Sequence, residues 1–191
     1  MTQFPVHTTE TAPDEARSTL EGIRKEFGFV PNLFGEMADA PPVLDAYMRM
    51  DELFERTSLD SLERSIVRLT ASRANECEYC IAAHSAELAS QDFPREQIEI
   101  LRNLDELPDE RLEALRAFTE LLVKQRGHAS DEQIEAFLDA GFERRQVFEV
   151  VLGVSLKTLS NYVNHLADTP VDEPFADFAW TEEVATAGAA V

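Results

Sequence analysis

The sequence predicts an all-α protein that folds as one compact, single-domain helical bundle. Two observations lead to this prediction. Apolar residues recur at the three- and four-residue spacing of a helix along most of the 191-residue chain, whereas the strict alternation typical of strands does not recur. Capping residues, prolines and glycines separate these periodic segments at short intervals. One domain is expected at this length, covering residues 14–180 between an N-terminal arm, 1–13, and a frayed tail, 181–191.

The first half of the chain carries signals for five helices. Gly28 follows the first periodic segment directly, as is typical of a helix stop. Pro31 and the Pro41–Pro42 pair fit the first turns of two further helices. Ser58 or Asp60 is placed to cap the fourth helix. The predicted helices are therefore 14–27, a short helix after Pro31, 40–55, a helix from 58 or 60 to about 75, and a helix from about 77 to 90.

The second half predicts four more helices. Pro94 opens a short helix, and Asp109 begins a long one that Gly127 ends. Ser130 and Gln133 have the spacing of a capping box, and the helix that they begin ends at Gly141. The last helix, 144–167, is the longest apolar-rich segment.

The stretch 147–156 within that last helix is apolar nearly all round. A helix of this kind is typical of the centre of a fold, so we expect it to be buried. After Pro170 the sequence predicts an irregular segment, anchored by Phe175, Phe178 and Trp180.

The charge of the chain is strongly negative, with 37 acidic against 17 basic residues and a net charge of −20. Nucleic acids and anionic membranes require positive patches, so neither is an expected partner. No apolar run is long enough to span a bilayer, and residues 1–13 have neither the basic nor the apolar part of a signal peptide. We therefore expect a cytoplasmic protein. The composition leaves open whether the acidic surface is an ordinary one or an adaptation to high salt.

Cys77, Cys80 and His84 form a C-x2-C-x3-H motif and include both cysteines of the chain. Cys80 and His84 are separated by one helical turn, which places a thiol beside an imidazole that can take its proton. If the helix begins near Cys77, both sulfurs lie in its first turn, where the helix dipole favours thiolate. A C-x-x-C at a helix start also permits a disulfide. The motif therefore predicts a redox-active dithiol with a proton acceptor.

Other interpretations of the motif remain open. Cys77, Cys80 and His84 would supply three of the four ligands of a zinc site, although the other three histidines are isolated in the sequence. The two cysteines could also be inert and buried, with His84 a satisfied polar residue. A thioredoxin-type site is disfavoured because the chain has no βαβ pattern.

The segment 59–88 resembles the alkyl hydroperoxidase D / carboxymuconolactone decarboxylase superfamily. The resemblance rests on the helix before the motif, on the C-x-x-C pair and on the histidine after it. The segments 28–34 and 161–168 resemble the peroxidase-related branch, and the likeness covers roughly residues 14–180. It implies an all-helical fold that assembles as a homo-oligomer, a trimer or a multiple of a trimer.

The resemblance also implies a thiol peroxidase with oxidoreductase activity. Cys80 would be the peroxidatic nucleophile, Cys77 the resolving cysteine and His84 the proton relay. The partners would be a hydroperoxide and an external dithiol reductant. No cofactor or metal is expected, because the redox-active disulfide would carry the electrons.

The chain departs from the family pattern at two positions. The relay carboxylate of the family corresponds to Ser65, and the second histidine between the cysteines corresponds to Tyr79. Glu63, Glu76 or Glu78 are candidates to replace the carboxylate, although Glu63 points to a different face of its helix. Without that carboxylate, His84 would be a weaker base. The leading hypothesis is a peroxidase; a disulfide reductase or redox sensor with little peroxidase turnover, and a non-enzymatic zinc-binding or assembly protein, are the alternatives.

Overall fold

The computed structural model describes residues 4–181 of the chain, and within this range the structure is all-α. Nine α-helices and one short 3-10 helix form a single bundle, and no strand occurs among the described residues. The helices are α1 (Asp14–Phe27), α2 (Asn32–Met37), α3 (Pro41–Glu55), α4 (Ser61–Ala74), α5 (Glu78–Ser90), α6 (Arg95–Asn103), α7 (Glu110–Lys124), α8 (Asp131–Asp139) and α9 (Arg144–Ala167), followed by the 3-10 helix Glu173–Phe178. The predicted fold class is therefore confirmed.

Local signals place the helix ends where the sequence predicts them. Gly28 adopts the left-handed conformation, φ 82°, at the C-terminal end of α1. Of the two cap candidates for α4, the structure uses Asp60, whose side chain accepts from the backbone N–H of Glu63. The Glu63 carboxylate accepts from the backbone N–H of Asp60 in return, which completes a capping box. Ser130 and Gln133 form a second capping box before α8.

Helix α4 lies at the centre of the bundle. It packs against α5, α7 and α9, and it also contacts α3 and α6. Its side chains are buried on most sides, with Ile66, Val67 and Leu69 fully buried in the core. Because α5 and α9 both rest on this one helix, α4 is the frame that fixes the position of the motif.

The C-x-x-C motif begins at a sharp turn between α4 and α5. Glu76 adopts φ 58°, the left-handed region, and the backbone N–H of Cys77 then donates to the carbonyl of Ser72. This turn places Cys77 at the N-cap position of α5 and Cys80 in its first turn. The expected start of the motif helix near Cys77 is confirmed.

Helix α9 differs from the prediction of a helix that is buried all round. Phe148 and Leu166 are each 76% exposed, and Val151 and Tyr162 are also exposed. The buried face of α9 begins with Gln146, is apolar at Val150 and Leu156, and is polar from Lys157 to Asn164. The prediction of burial all round is wrong because apolar residues occur on both the buried and the exposed face, and an apolar sequence cannot reveal which of them meets the core.

The C-terminal segment is more regular than predicted, since it contains the 3-10 helix Glu173–Phe178. Tyr79 on α5 donates to Asp172 at 2.6 Å, and Arg102 on α6 donates to the carbonyls of Phe178 and Ala179. Trp180 is buried, and the guanidinium of Arg73 stacks on its ring. These contacts bind the segment across α4, α5 and α6. Most of the tail predicted to fray, residues 182–191, lies outside the described residues.

None of the helices in residues 4–181 combines the length and the apolar character that a membrane-spanning segment requires.

Candidate active site

The two cysteines lie side by side at the start of α5, and both are buried and reduced. Cys77 is the N-cap residue and Cys80 is the third residue of the helix. Their sulfurs are therefore held at the positive end of the helix dipole, where thiolate is favoured.

Helix α9 supplies the polar contacts of both sulfurs. The Nδ2 of Asn164 lies 3.4 Å from Sγ of Cys77 and 3.2 Å from Sγ of Cys80. Nζ of Lys157 lies 3.5 Å from Sγ of Cys80, and Oγ of Ser160 lies 3.8 Å from the same sulfur. The polar inner face of α9 therefore surrounds the dithiol, and most of these contacts converge on Cys80.

The two cysteines differ in their proton affinity. Burial by itself raises the pKa of Cys80, but the hydrogen bond from Cys77 and the nearby charge of Lys157 outweigh burial and lower that pKa well below its usual value. The pKa of Cys77 is raised, first by its hydrogen bond with Cys80 and then by burial. Cys80 is therefore the more acidic thiol of the pair.

His84 is held by a carboxylate that follows it on the same helix. Nδ1 of His84 lies 2.7 Å from Oε2 of Glu87. Burial raises the pKa of Glu87, but the hydrogen bond from His84 and the charges around it lower the pKa to about 2, so Glu87 is ionised and can only accept. Nδ1 of His84 therefore carries the proton. Burial lowers the pKa of His84, which leaves the ring neutral with a free lone pair on Nε2.

Ser65 and Arg68 on α4 fix the other oxygen of Glu87. Oγ of Ser65 donates to Oε1 at 3.1 Å, and Nη1 of Arg68 lies 3.4 Å from the same atom. Arg68 also contacts Asp51 at 2.8 Å and Glu55 at 2.5 Å. The family resemblance implies a carboxylate at the position of Ser65. In this chain the carboxylate comes from Glu87 on α5, and Ser65 donates a hydrogen bond to it.

This arrangement corrects the expectation that His84 lacks a carboxylate partner. Glu63, one candidate replacement, is bound to the N–H of Asp60 and to Arg111 at 2.6 Å. Glu76 is exposed in the turn before Cys77. Among the described residues, the carboxylate that contacts His84 is Glu87.

The direct proton transfer from Cys80 to His84 that the spacing allows is not seen as a contact. Within residues 4–181, no hydrogen bond joins the two side chains, although both line the same cavity. A water in that cavity is the chemically reasonable link between Nε2 and the thiol.

Two cavities meet the dithiol from different sides. The larger, about 490 Å³, is lined by Cys80 and His84 but not by Cys77. The smaller, about 310 Å³, is lined by Cys77 but not by Cys80. Five aromatic rings line the larger cavity: Phe27, Phe34, Tyr47, Tyr79 and Phe175.

The zinc interpretation finds no support in the arrangement of the side chains. No cluster of three or more histidine, cysteine or acidic residues in the described part of the chain is placed to hold a metal. His84 points to Glu87, while the sulfurs point to α9.

Sequence reasoning missed four residues of this site. The contact of Glu87 with His84 could have been predicted, because a residue three positions after His84 lies on the same helix face. Lys157 left a weaker signal, as a cation within an apolar helix. Asn164 and Ser160 gave no signal that separates them from other polar residues of α9.

Comparison with known proteins agrees with the fold and the motif. Residues 41–121, which include α4 and the motif, match the sequence model of the carboxymuconolactone decarboxylase family. A search among curated proteins gives no significant match.

Several solved structures share the fold over nearly their whole length. A peroxidase-related protein from Ralstonia eutropha JMP134, described as an alkylhydroperoxidase AhpD core, has a TM-score of 0.81 at 23% identity, covering 91% of this chain and 93% of that one. A peroxidase-related protein from Silicibacter sp. TM1040 has a TM-score of 0.77 at 20% identity, with 91% and 92% covered. A debrominase in complex with 2,3,4-tribromopyrrole has a TM-score of 0.77 at 15% identity, with 93% and 96% covered.

The sequence match and the structural similarities support different conclusions. At such identities the shared architecture establishes the fold and not the substrate. The family match covers the helices that build the dithiol, and the resemblance of the motif agrees with it. Residues 41–121 therefore carry the sequence pattern of the carboxymuconolactone decarboxylase family, and the chain shares its fold with peroxidase-related proteins.

Proposed function

We propose that the protein is a thiol-dependent peroxidase that reduces hydroperoxides through a dithiol–disulfide cycle of Cys77 and Cys80. Members of the superfamily are enzymes, and its peroxidase-related members share this fold. The observation that carries the proposal is the asymmetry of the site. The larger cavity leads to Cys80, whose pKa is lowered, and to His84, while Cys77 is turned away from it.

The cycle has three steps. The Cys80 thiolate attacks the distal oxygen of the hydroperoxide and the O–O bond breaks. The hydroperoxide proton passes to the alkoxide, which leaves as an alcohol, and one further proton from solvent makes Cys80 a sulfenic acid. The Cys77 thiol then attacks the Cys80 sulfur, which forms the disulfide and releases water. An external dithiol returns two electrons and two protons by thiol–disulfide exchange.

His84 is the proton relay in this scheme. Its Nε2 is unprotonated and His84 lines the cavity that holds Cys80, so Nε2 can take the proton of the hydroperoxide as the thiolate attacks and return it to the departing alkoxide. Glu87 keeps the ring in this tautomer and stabilises the imidazolium that forms for a moment.

The larger cavity has room for an organic hydroperoxide. Its volume of about 490 Å³ exceeds what hydrogen peroxide needs, and its aromatic wall suits an apolar group on the substrate. The smaller cavity reaches Cys77 and offers the reductant a separate approach to the disulfide.

The assembly and location of the protein belong to the same proposal. The exposed apolar face of α9 supports a homo-oligomer, which in this superfamily we take to be a trimer or a multiple of one. A C-x-x-C pair that has to be reduced again in every cycle fits the reducing cytoplasm. The net charge of −20 argues against nucleic acid and anionic membranes as partners.

A second candidate is reductive dehalogenation of a halogenated aromatic compound. The observation that favours it is the ring of aromatic side chains beside Cys80, in a fold shared with a debrominase. The dithiol would supply two electrons, so that aryl bromide and two thiols give arene, bromide, a proton and the disulfide. A disulfide reductase or redox sensor would use the same cysteines without either substrate.

Stopped-flow oxidation of the reduced protein by several hydroperoxides tests the proposal. The wild type should be oxidised rapidly, Cys77→Ser should react once and stop at a sulfenic acid, and Cys80→Ser should be inert. A bromopyrrole in place of the hydroperoxide tests the second candidate by bromide release. A wild type that exchanges disulfides yet ignores hydroperoxides would overturn the peroxidase assignment in favour of the reductase.

A further inference from the structure

Lys157 is a buried ammonium at the wall of the active site. It lies in the middle of α9 with only 1% of its surface exposed. Within the described residues, the hydrogen-bond partner of Nζ is Sγ of Cys80 at 3.5 Å. Burial of an ammonium without a counter-charge costs several kcal/mol, so the fold has to offer a negative partner.

The surroundings leave one candidate for this partner. The charged and titratable groups that face Lys157 are Tyr47 and Asp51 on α3, Arg68 on α4, and Cys77, Cys80, His84 and Glu87 on α5. Asp51 and Glu87 are both bound to Arg68, and Glu87 also to His84. Tyr47 presents its ring, with the centroid 5.9 Å from Nζ. His84 is bound to Glu87, and of the two sulfurs that of Cys80 lies within hydrogen-bonding distance of Nζ in the described part of the chain. The sulfur of Cys80 therefore remains.

We propose that Lys157 and Cys80 form a buried ammonium–thiolate ion pair in the reduced protein, and that the loss of this pair makes the Cys77–Cys80 disulfide easy to reduce. The inference deepens the proposed function and rests on its dithiol cycle. It makes Lys157 a catalytic residue, since its ammonium contacts the reacting sulfur.

Oxidation of the dithiol removes the charge with which Lys157 interacts, and this sets the direction in which the ion pair shifts the reduction potential. In one turn the Cys80 thiolate, the Cys77 thiol, the hydroperoxide and one proton become the disulfide, an alcohol and water. The negative charge on Cys80 disappears in this step, and Lys157 is left buried without its counter-ion. The interaction therefore stabilises the reduced state only. A dithiol whose reduced form is stabilised has a higher reduction potential, so the external reductant restores it more readily.

Charge removal at Lys157 tests the inference. Lys157→Met keeps the length of the side chain and removes the charge, whereas Lys157→Arg keeps the charge. Lys124→Met is the matched control, because Lys124 is an exposed lysine that pairs with Glu120 outside the site. Two readouts need no hydroperoxide: the pH dependence of Cys80 alkylation in a Cys77→Ser background, and the dithiol–disulfide equilibrium in glutathione buffers.

Lys157→Met should move the alkylation midpoint towards that of a free thiol and shift the equilibrium at least tenfold towards the disulfide, which corresponds to about 30 mV. Lys157→Arg should shift both less, and Lys124→Met should shift neither. Unchanged midpoint and equilibrium in folded Lys157→Met would overturn the inference.

If Lys157→Met does not fold, titration of the wild-type thiolate still tests the ion pair. Ultraviolet thiolate absorbance that titrates like a free thiol would overturn the ion pair. If the wild type is inert to hydroperoxides but the two readouts respond to Lys157→Met, the ion pair stands and the peroxidase proposal fails. If peroxide reduction is fast and the readouts do not respond, the peroxidase proposal stands and the ion pair fails.

Discussion

His84 and Glu87 lie three residues apart on α5 and form a hydrogen-bonded histidine–carboxylate pair. The family resemblance leads us to expect such a pair between α4 and α5. The carboxylate that contacts the histidine comes from α5, and not from the position of Ser65 on α4 where the family resemblance leads us to expect it. Ser65 keeps a part in the relay, since its hydroxyl donates to the same carboxylate. One physical requirement, an acceptor behind the imidazole, is thus met from a different place in the chain.

Glu87→Gln should lower peroxide turnover by about 10–100-fold, the usual effect of loss of a group that orients a reacting histidine. Glutamine keeps the shape but removes the charge, so the pKa of His84 falls and the acidic limb of the kcat/KM profile moves to lower pH. Steady-state kinetics across the pH range measure both effects. Glu52→Gln, on an exposed glutamate outside the cavity, is the control and should change neither. Equal losses at every pH with no movement of the profile would mean that Glu87 acts only through packing.

The same carboxylate should leave a trace in acid stability. The pKa of Glu87 is depressed from 4.5 to about 2 in the folded protein. Such a group stabilises the fold above its unfolded pKa, and this contribution is lost as the pH falls through the folded value. Wild type should therefore exceed Glu87→Gln in free energy of unfolding at pH 5–7. The difference should shrink between pH 4.5 and about 2, as followed by urea denaturation. A constant difference across that window would contradict the ionised state.

At the scale of the helices, the close approach of α9 to α3 and α4 sets the geometry of the dithiol site. Gly153 lies one turn before Lys157 on α9. A Cβ atom at this position would come within 2.6 Å of Val67 on α4 and 2.7 Å of Phe54 on α3. The glycine lets the backbone of α9 lie directly on the core, and this contact delivers Lys157, Ser160 and Asn164 to the sulfurs.

Gly153→Ala should destabilise the protein by about 1–3 kcal/mol, the usual cost of an added methyl group in a filled core. The clash exceeds the gain in helix propensity that alanine brings, about 1 kcal/mol. Gly22→Ala on α1 is the matched control, because nothing lies within 4 Å of its Cβ position. That variant should be as stable as wild type or more so in chemical denaturation. Stabilisation by Gly153→Ala would show that α9 can move outward freely.

Helix α9 has a buried face and an exposed face, and both carry apolar side chains. Its buried face meets the core through Val150 and Leu156 and meets the motif through the polar residues that follow. Exposed on the other side are Phe148, Val151, Tyr162 and Leu166. Large apolar side chains on one face of a helix are typical of a surface that a second copy covers. We therefore expect a second copy of the chain to cover this exposed face.

At the scale of the whole molecule, the protein should be a homo-oligomer, a trimer or a multiple of one, by light scattering at micromolar concentration. The double variant Phe148→Gln with Leu166→Gln should shift it towards the monomer, since the two side chains are each 76% exposed in one chain. Phe4→Gln removes an exposed phenylalanine from the N-terminal arm and should leave the assembly intact. A monomeric wild type would contradict this prediction directly.

The sequence by itself determined the helices and the dithiol. Helix ends depend on local chemistry, so Gly28, Asp60 and Ser130 could be recognised without any knowledge of the fold. The proximity of Cys77, Cys80 and His84 is local for the same reason, because residues within two turns of a helix have fixed relative positions.

Only the tertiary structure decided what surrounds the dithiol. Lys157 is 77 residues from Cys80 along the chain, and Asn164 is 84 residues from it. Which face of α9 meets α5 depends on how the whole bundle packs, and the backbone contact at Gly153 fixes that face. Hydrophobic periodicity does not predict burial of the polar part of this face, because that burial is stabilised by charge and hydrogen bonds to the sulfurs.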